Sequence, residues 1–143
     1  MHTFLLLVGF FTTMLFFLID KNMLPGITIA QKYILTKLEK NKKKELELQL
    51  EFEKLINSYQ AWSLKAFPDE DITYREYIAL LKEKSSIEYS DAEFSRLKSK
   101  LKKNQLLDYM DKIKNQEEAV IALQANIACQ KKNLQLLTVA KAS

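Results

Sequence analysis

Cys129 is the chain's one cysteine and His2 its one histidine. A cysteine nucleophile needs an imidazole or other base beside it, and His2 stands ahead of an apolar run at the opposite end of the sequence. Cys129, set between Ala128 and Gln130 in a stretch of helical composition, reads as an inert thiol. One cysteine and one histidine also exclude an internal disulfide and a Cys/His metal cage. Asp69, Glu70 and Asp71 could hold a cation, but they follow Pro68 and precede Thr73 and Glu76, where acids complement the positive end of a starting helix. Glu117 and Glu118 are adjacent, so they leave a helix in different directions and make a poor acid/base pair. Two glycines, Gly9 and Gly26, leave no room for a phosphate-cradling loop. The chain is therefore expected to be no enzyme, with no cofactor, no metal and no small-molecule substrate.

The elements that carry these residues are helices. Two glycines and two prolines punctuate 143 residues, and Leu, Lys, Glu, Gln and Ala are good helix formers. The fold class expected is all-α: a single N-terminal transmembrane helix followed by extended amphipathic, coiled-coil-like helices. From Asp20 to Lys44 there are seven lysines against two acids, within a net charge of +4. Such a basic collar suits anionic headgroups. With two arginines, Arg75 and Arg96, and no basic-aromatic platform, nucleic acid is not the expected partner.

Phe4 to Ile19 carries no charge, and twelve of its positions are Leu, Ile, Phe or Val. Their summed insertion free energy is on the order of −5 kcal/mol. No Lys or Arg precedes this run, and Asp20-Lys21-Asn22 follows it in place of a small-residue cleavage site, against a signal peptide. Residues 1–23 are thus expected to be a retained anchor in the lipid bilayer. Asp20, Lys21, Leu24, Pro25 and Lys32 would form the membrane exit, with the body on the positive side.

Beyond the anchor, residues 24–67 read as a basic, membrane-proximal stem helix. Ile34, Leu38, Asn41, Glu45, Leu48, Phe52, Leu55, Tyr59 and Trp62 recur at three-four spacing. The polar positions Asn41 and Glu45 suggest a solvated stem, with packing further out. Leu46 and Leu50 widen the stripe. Residues 68–86 read as a loop and a short helix, opened by a capping box at Thr73 and Glu76 with Ile72 and Tyr77 as staple, and broken at Ser85-Ser86. Residues 87–143 read as one long amphipathic helix, started by a second box at Ser90 and Glu93 with Tyr89 and Phe94 as staple. Its distal half repeats every seven residues: Ile113, Val120, Ile127 and Leu134 on one track, Gln116, Leu123, Gln130 and Leu137 on the other. The register slips near Asn104, so this helix could be a bent pair or a strip that changes partners. The expected partner-docking residues are Leu48, Phe52, Leu55, Tyr59 and Trp62 on the stem, and Ile113, Val120, Leu123, Ile127, Leu134 and Leu137 on the last helix. Coiled coil and ordinary bundle both fit that repeat.

Over about the first third of the chain the layout resembles mitochondrial ATP synthase subunit 8. The residues concerned are Phe16-Phe17-Leu18-Ile19-Asp20-Lys21, then Met23-Leu24-Pro25-Gly26-Ile27, then the basic stretch Lys32 to Lys44. Subunit b of the same enzyme shares the plan of one span and a long stalk helix. The resemblance implies a peripheral-stalk or membrane-sector (stator) subunit of a proton-transporting complex, partnered by other subunits and without catalytic residues. It also implies the mitochondrial inner membrane, single-pass, with the body in the matrix, or the cytoplasmic side of a bacterial membrane. A membrane-anchored, self-associating tether or adaptor, and an accessory subunit of another respiratory complex, are the alternatives.

Overall fold

The computed structural model describes residues 26–143. Four helices make up this part: α1 (Gly26–Ser58), α2 (Tyr74–Glu88), α3 (Asp91–Lys98) and α4 (Lys103–Ala142). Among the described residues the chain is all-α, and its one β feature is an isolated bridge between Lys65 and Thr73. At 1.5 Å per residue, α1 is about 50 Å long and α4 about 60 Å.

Pairings along α1 define the topology. Gln31 reaches the Ser99 carbonyl at 2.6 Å, and Asn41 lies within 3.5 Å of Gln116. Further on, Leu48 and Leu55 border the same furrow as Gln124 and Ile127. Numbers rise together, so α1 and α4 are parallel. Against α2 and α3 they run in opposition: Glu53 pairs with Lys82, the Gln49 amide reaches the Leu81 carbonyl, and the Lys42 ammonium lies over the Phe94 ring. The chain thus goes out along α1, returns along α2 and α3, and goes out again along α4. A parallel helix pair needs that long return.

The end of α1 is set by backbone chemistry. Ala61 N–H donates to Ile56 O at 3.0 Å and Gln60 N–H to Asn57 O at 3.1 Å, with Gln60 at φ 49°. This pair of bonds is a Schellman motif with Gln60 in the left-handed position. The stem therefore stops at Ser58 rather than running to residue 67. The loop that follows folds on itself through Ala66 N–H to Ile72 O at 2.9 Å and Tyr74 N–H to Leu64 O at 3.0 Å. Arg75 stacks over Trp62 at 5.7 Å. An edge-to-face cluster of Phe52, Phe67, Tyr74 and Tyr77 seats the loop on the bundle.

Helix α2 starts at the expected capping box. The Thr73 hydroxyl accepts from Glu76 N–H, and Thr73 N–H donates to the Glu76 carboxylate at 2.8 Å. It then runs through Ser85-Ser86, which was expected to break it, to Glu88. Ser85 is buried, and the Ser86 hydroxyl bonds back to Glu83 O at 2.7 Å. The second box is half formed. Ser90 caps Glu93 N–H at 3.4 Å, but the Glu93 carboxylate turns instead to Lys112 at 2.9 Å and the Tyr109 hydroxyl at 3.3 Å. Residues 87–143 are consequently two helices, not one. Residues 99–102 separate them, Leu101 is buried in the gap, and Lys102 N–H donates to Gln105 Oε1 at 2.8 Å to restart α4. That break lies just ahead of the register slip.

Two large apolar clusters form most of the core of the described residues. One gathers Ile34, Leu38, Leu97, Leu106 and Ile113 near the start of α1; the other gathers Phe52, Ile56, Tyr74, Ile127 and Leu134 at the far end. Among the described residues no helix is long and apolar enough to cross a membrane. This corrects the expected single-pass membrane location with the body in the matrix or on the cytoplasmic side. Each described helix buries an apolar side against the bundle and carries charged residues, Lys and Glu foremost, within its exposed surface. The anchor expected over residues 1–23, and Asp20, Lys21, Leu24 and Pro25 of the exit, lie outside the described residues. Lys32 is exposed on α1, and its carbonyl accepts from the Thr36 hydroxyl at 2.9 Å.

Candidate functional site

The expected docking residues are assembled by the fold, but against one another. Leu48, Phe52, Val120, Leu123, Ile127 and Leu134 are buried in the far-end cluster and Ile113 in the other, and Leu55, Tyr59 and Trp62 pack half-buried against the far-end cluster. The seven-residue repeat of α4 faces α1 and α2 rather than a neighbour. It begins earlier than expected, at Leu106 and Tyr109, and runs with three-four spacing to Leu134. Only Leu137, 49% exposed, stands free of the bundle, because α4 continues past its last buried residue.

Between the apolar clusters lies a polar layer. Asn41 and Glu45, expected to be solvated, are 5% and 7% exposed. Gln49, Ser85, Tyr89 and Gln116 complete the layer, all buried. The Asn41 amide donates at 3.5 Å to both Ile113 O and Gln116 Oε1, and the Gln49 amide donates to Glu45 Oε1 at 3.5 Å. Gln116 Nε2 finds no hydrogen-bond partner among the described residues. Lys37 closes the edge of the layer with a 3.0 Å ion pair to Glu117.

Burial pushes the Glu45 carboxyl above the usual carboxylate range, and Glu88 adds to this, while Tyr89, Lys84 and Ser85 oppose it. Tyr89 is pushed up in turn, chiefly by burial and then by the charge of Glu45, and its buried hydroxyl finds no hydrogen-bond partner among the described residues. Glu93 is moved the other way, held down mainly by its bond to Lys112. A polar layer inside an otherwise apolar seam costs stability and penalises slipped registers. The layer draws its members from α1, from α2 and its C-terminal cap Tyr89, and from α4.

No family model matches the chain, and it matches no curated protein and no solved structure.

The residues with chemical potential do not gather at this layer. Cys129 is an exposed thiol on the outer side of α4. Asp69, Glu70 and Asp71 are exposed in the loop, with Asp71 paired to Lys65 at 3.1 Å. Among the described residues no group of three acids, cysteines or histidines is placed to hold a metal ion. What the bundle does display is apolar side chains on outward faces. Leu46 and Leu50 stand beside a furrow of about 650 Å³ between α1 and α2, with Lys42, Glu53 and Lys82 along its walls. Leu80 and Ile87 of α2, and Ile121, Leu136 and Val139 of α4, are likewise exposed. Of these, Leu46 and Leu50 were legible as a widening of the α1 stripe. The α4 set was hidden in the sequence by the stronger core repeat beside it.

Proposed function

We propose that this chain is a non-catalytic structural subunit of a multi-subunit assembly, and in its specific form a peripheral-stalk (stator) subunit of an F-type ATP synthase. The observation that carries the general reading is the pairing of two long parallel helices, clamped by α2 and α3, with large apolar side chains left on their outer faces. Each such side chain gains roughly 1.5–3 kcal/mol when fully covered, so these faces favour contact with neighbouring proteins. A polar layer that keeps the helices in register suits a part that must transmit force without slipping. The specific form rests on the resemblance over residues 1–45, of which α1 carries the basic part from Lys32 to Lys44.

In this role the bundle acts as a rigid spacer. Load enters along α1 and α4, which share one direction, and is spread across their common seam. Gentle extraction from cells that make the chain, native electrophoresis and mass spectrometry of the band carrying it test the reading. Co-migration with rotor and catalytic-head subunits is the expected result. Migration in a different large complex overturns the stator form, and migration as the free chain or a small homo-oligomer overturns membership of any large assembly.

A further inference from the structure

Helix α4 is apolar on two opposite sides. One side is the core seam. The other, turned away from α1 and α2, carries Ile121, Ala122, Ala125, Cys129, Leu136 and Val139, all exposed. Ile121, Leu136 and Val139 are 66%, 67% and 68% exposed, among the least covered large apolar side chains of the described residues. Positions 122, 129 and 136 interleave with 125, 132 and 139, so this face has its own seven-residue repeat, rotated by about half a turn from the core seam.

The charges on α4 identify the occupant. Between Asn115 and Ala140 the sequence has four charged residues: Glu117 and Glu118 at one end, Lys131 and Lys132 at the other. Glu117 is engaged with Lys37, and Lys131 borders the furrow against α1. Glu118 and Lys132 remain on the outer face, seven residues to either side of Ala125. A parallel copy would set Glu118 against Glu118. An antiparallel copy sets each Glu118 against the other copy's Lys132, and does so twice by symmetry. We propose that two copies of this chain associate back to back through the outer face of α4, antiparallel, with the two-fold axis at Ala125.

In this register Ile121 packs on the other copy's Cys129, and Ala122 on its Ala128. Leu136 lies under the aliphatic stem of Lys114. The contact runs from about residue 111 to residue 139, roughly 42 Å of helix. The small residues at its centre let the axes approach to about 8 Å. Moving the axis to Cys129, a slide of about eight residues between the copies, would leave Glu118 and Lys132 without opposite charges. The self-association does not depend on the stator reading, because it is measured on the purified chain.

The test uses the full-length chain in a mild non-ionic detergent, which keeps the apolar run Phe4 to Ile19 dispersed. Light scattering is expected to give twice the 16.7-kDa chain mass. At the two-fold axis, facing Cα atoms are about 4–6 Å apart, within disulfide reach, whereas the two native Cys129 residues are offset by about 12 Å along the axis. Ala125→Cys in a Cys129→Ser background should therefore form a covalent dimer under mild oxidant, and the wild-type chain should not. Glu118→Lys should weaken association at least ~10-fold, and Glu118→Lys with Lys132→Glu should restore it to within ~3-fold. All of these substitutions are at exposed positions, and an unchanged circular dichroism spectrum checks the fold. A monomer at every concentration overturns the proposal. So does a dimer that cross-links through Cys129, fails to cross-link at residue 125, or is not rescued by the double reversal.

Discussion

The Tyr74 hydroxyl donates to the amide oxygen of Gln130 across 2.5 Å of buried space. The same Gln130 uses its amide nitrogen to reach the Ala66 carbonyl at 2.8 Å. One side chain of the last helix thereby ties down the first residue of α2 and the loop before it. Gln130 occupies a seam position where Leu would pack, so its polarity is explained by this double bond.

Replacing Gln130 by Leu should accordingly destabilise the chain, although it adds apolar volume to the seam. Both the Tyr74 hydroxyl and the Ala66 carbonyl would be left unpaired, at a cost of roughly 2–3 kcal/mol. Adding Tyr74→Phe should recover part of that loss, since one orphaned group is then removed. Urea melts of both variants measure this, and a Gln130→Leu chain as stable as the wild type would count against the clamp.

At Gln60 the backbone is left-handed, φ 49°, in a position that glycine normally fills. A side chain there costs about 1 kcal/mol. Gln60→Gly should raise the melting temperature by about 3 °C, while Gln60→Ala should not. Calorimetry of the pair separates relief of backbone strain from loss of the glutamine side chain.

Glu45 gives the chain a pH signature. Its folded-state pKa is raised above the ordinary 4.5, so the folded chain holds this proton more tightly than the unfolded chain. The stabilisation that comes with the bound proton is full below about pH 4.5 and is lost as pH rises through the raised value. Glu45→Gln should then stabilise the chain at neutral pH, by on the order of 1 kcal/mol, and give no gain near pH 4. Glu93 runs opposite, because Lys112 holds its carboxyl down: its contribution is present at neutral pH and is lost as pH falls below about 4.5 through the lowered value. Melts of Glu45→Gln at the two pH values isolate the first effect. An equal gain at both would assign it to packing.

Adjacent residues on α4 should respond to the same change in different ways. Val120 is 8% exposed and belongs to the core, whereas Ile121 is 66% exposed on the opposite side. Val120→Asp buries an unpaired carboxylate and should cost at least ~3 kcal/mol, enough to unfold much of the chain. Ile121→Asp should abolish self-association and, at concentrations where the wild-type chain is monomeric, leave the melting curve within ~0.5 kcal/mol. Circular dichroism with light scattering reads both; a folded Val120→Asp chain would contradict the burial of the repeat.

Local signals in the sequence carried through where the interaction was itself local. Thr73 and Glu76 form their box because both partners lie within one helical turn. The three-four spacing from Ile34 to Phe52 marks the buried side of α1. Ser85-Ser86 misled, because serine in a helix can bond back one turn, as Ser86 does to Glu83, and leave the helix intact. The second box misled for another reason: Glu93 had a stronger distant partner in Lys112, and a charge-assisted bond outcompetes a cap.

By itself the sequence determined that this chain makes long amphipathic helices, with side-chain caps at Thr73 and Ser90 starting α2 and α3, and that the distal helix has a face repeating every seven residues. These follow from propensity, capping and period, which act within a few residues. Only the tertiary structure decided what covers that face. A period states that a side must be buried, not by which surface, and the answer depended on how the loop after Ser58 turns the chain back. That return placed α4 parallel to α1, enclosed Asn41, Glu45 and Gln116 in a polar layer, and left Ile121, Leu136 and Val139 as the apolar side still facing outward.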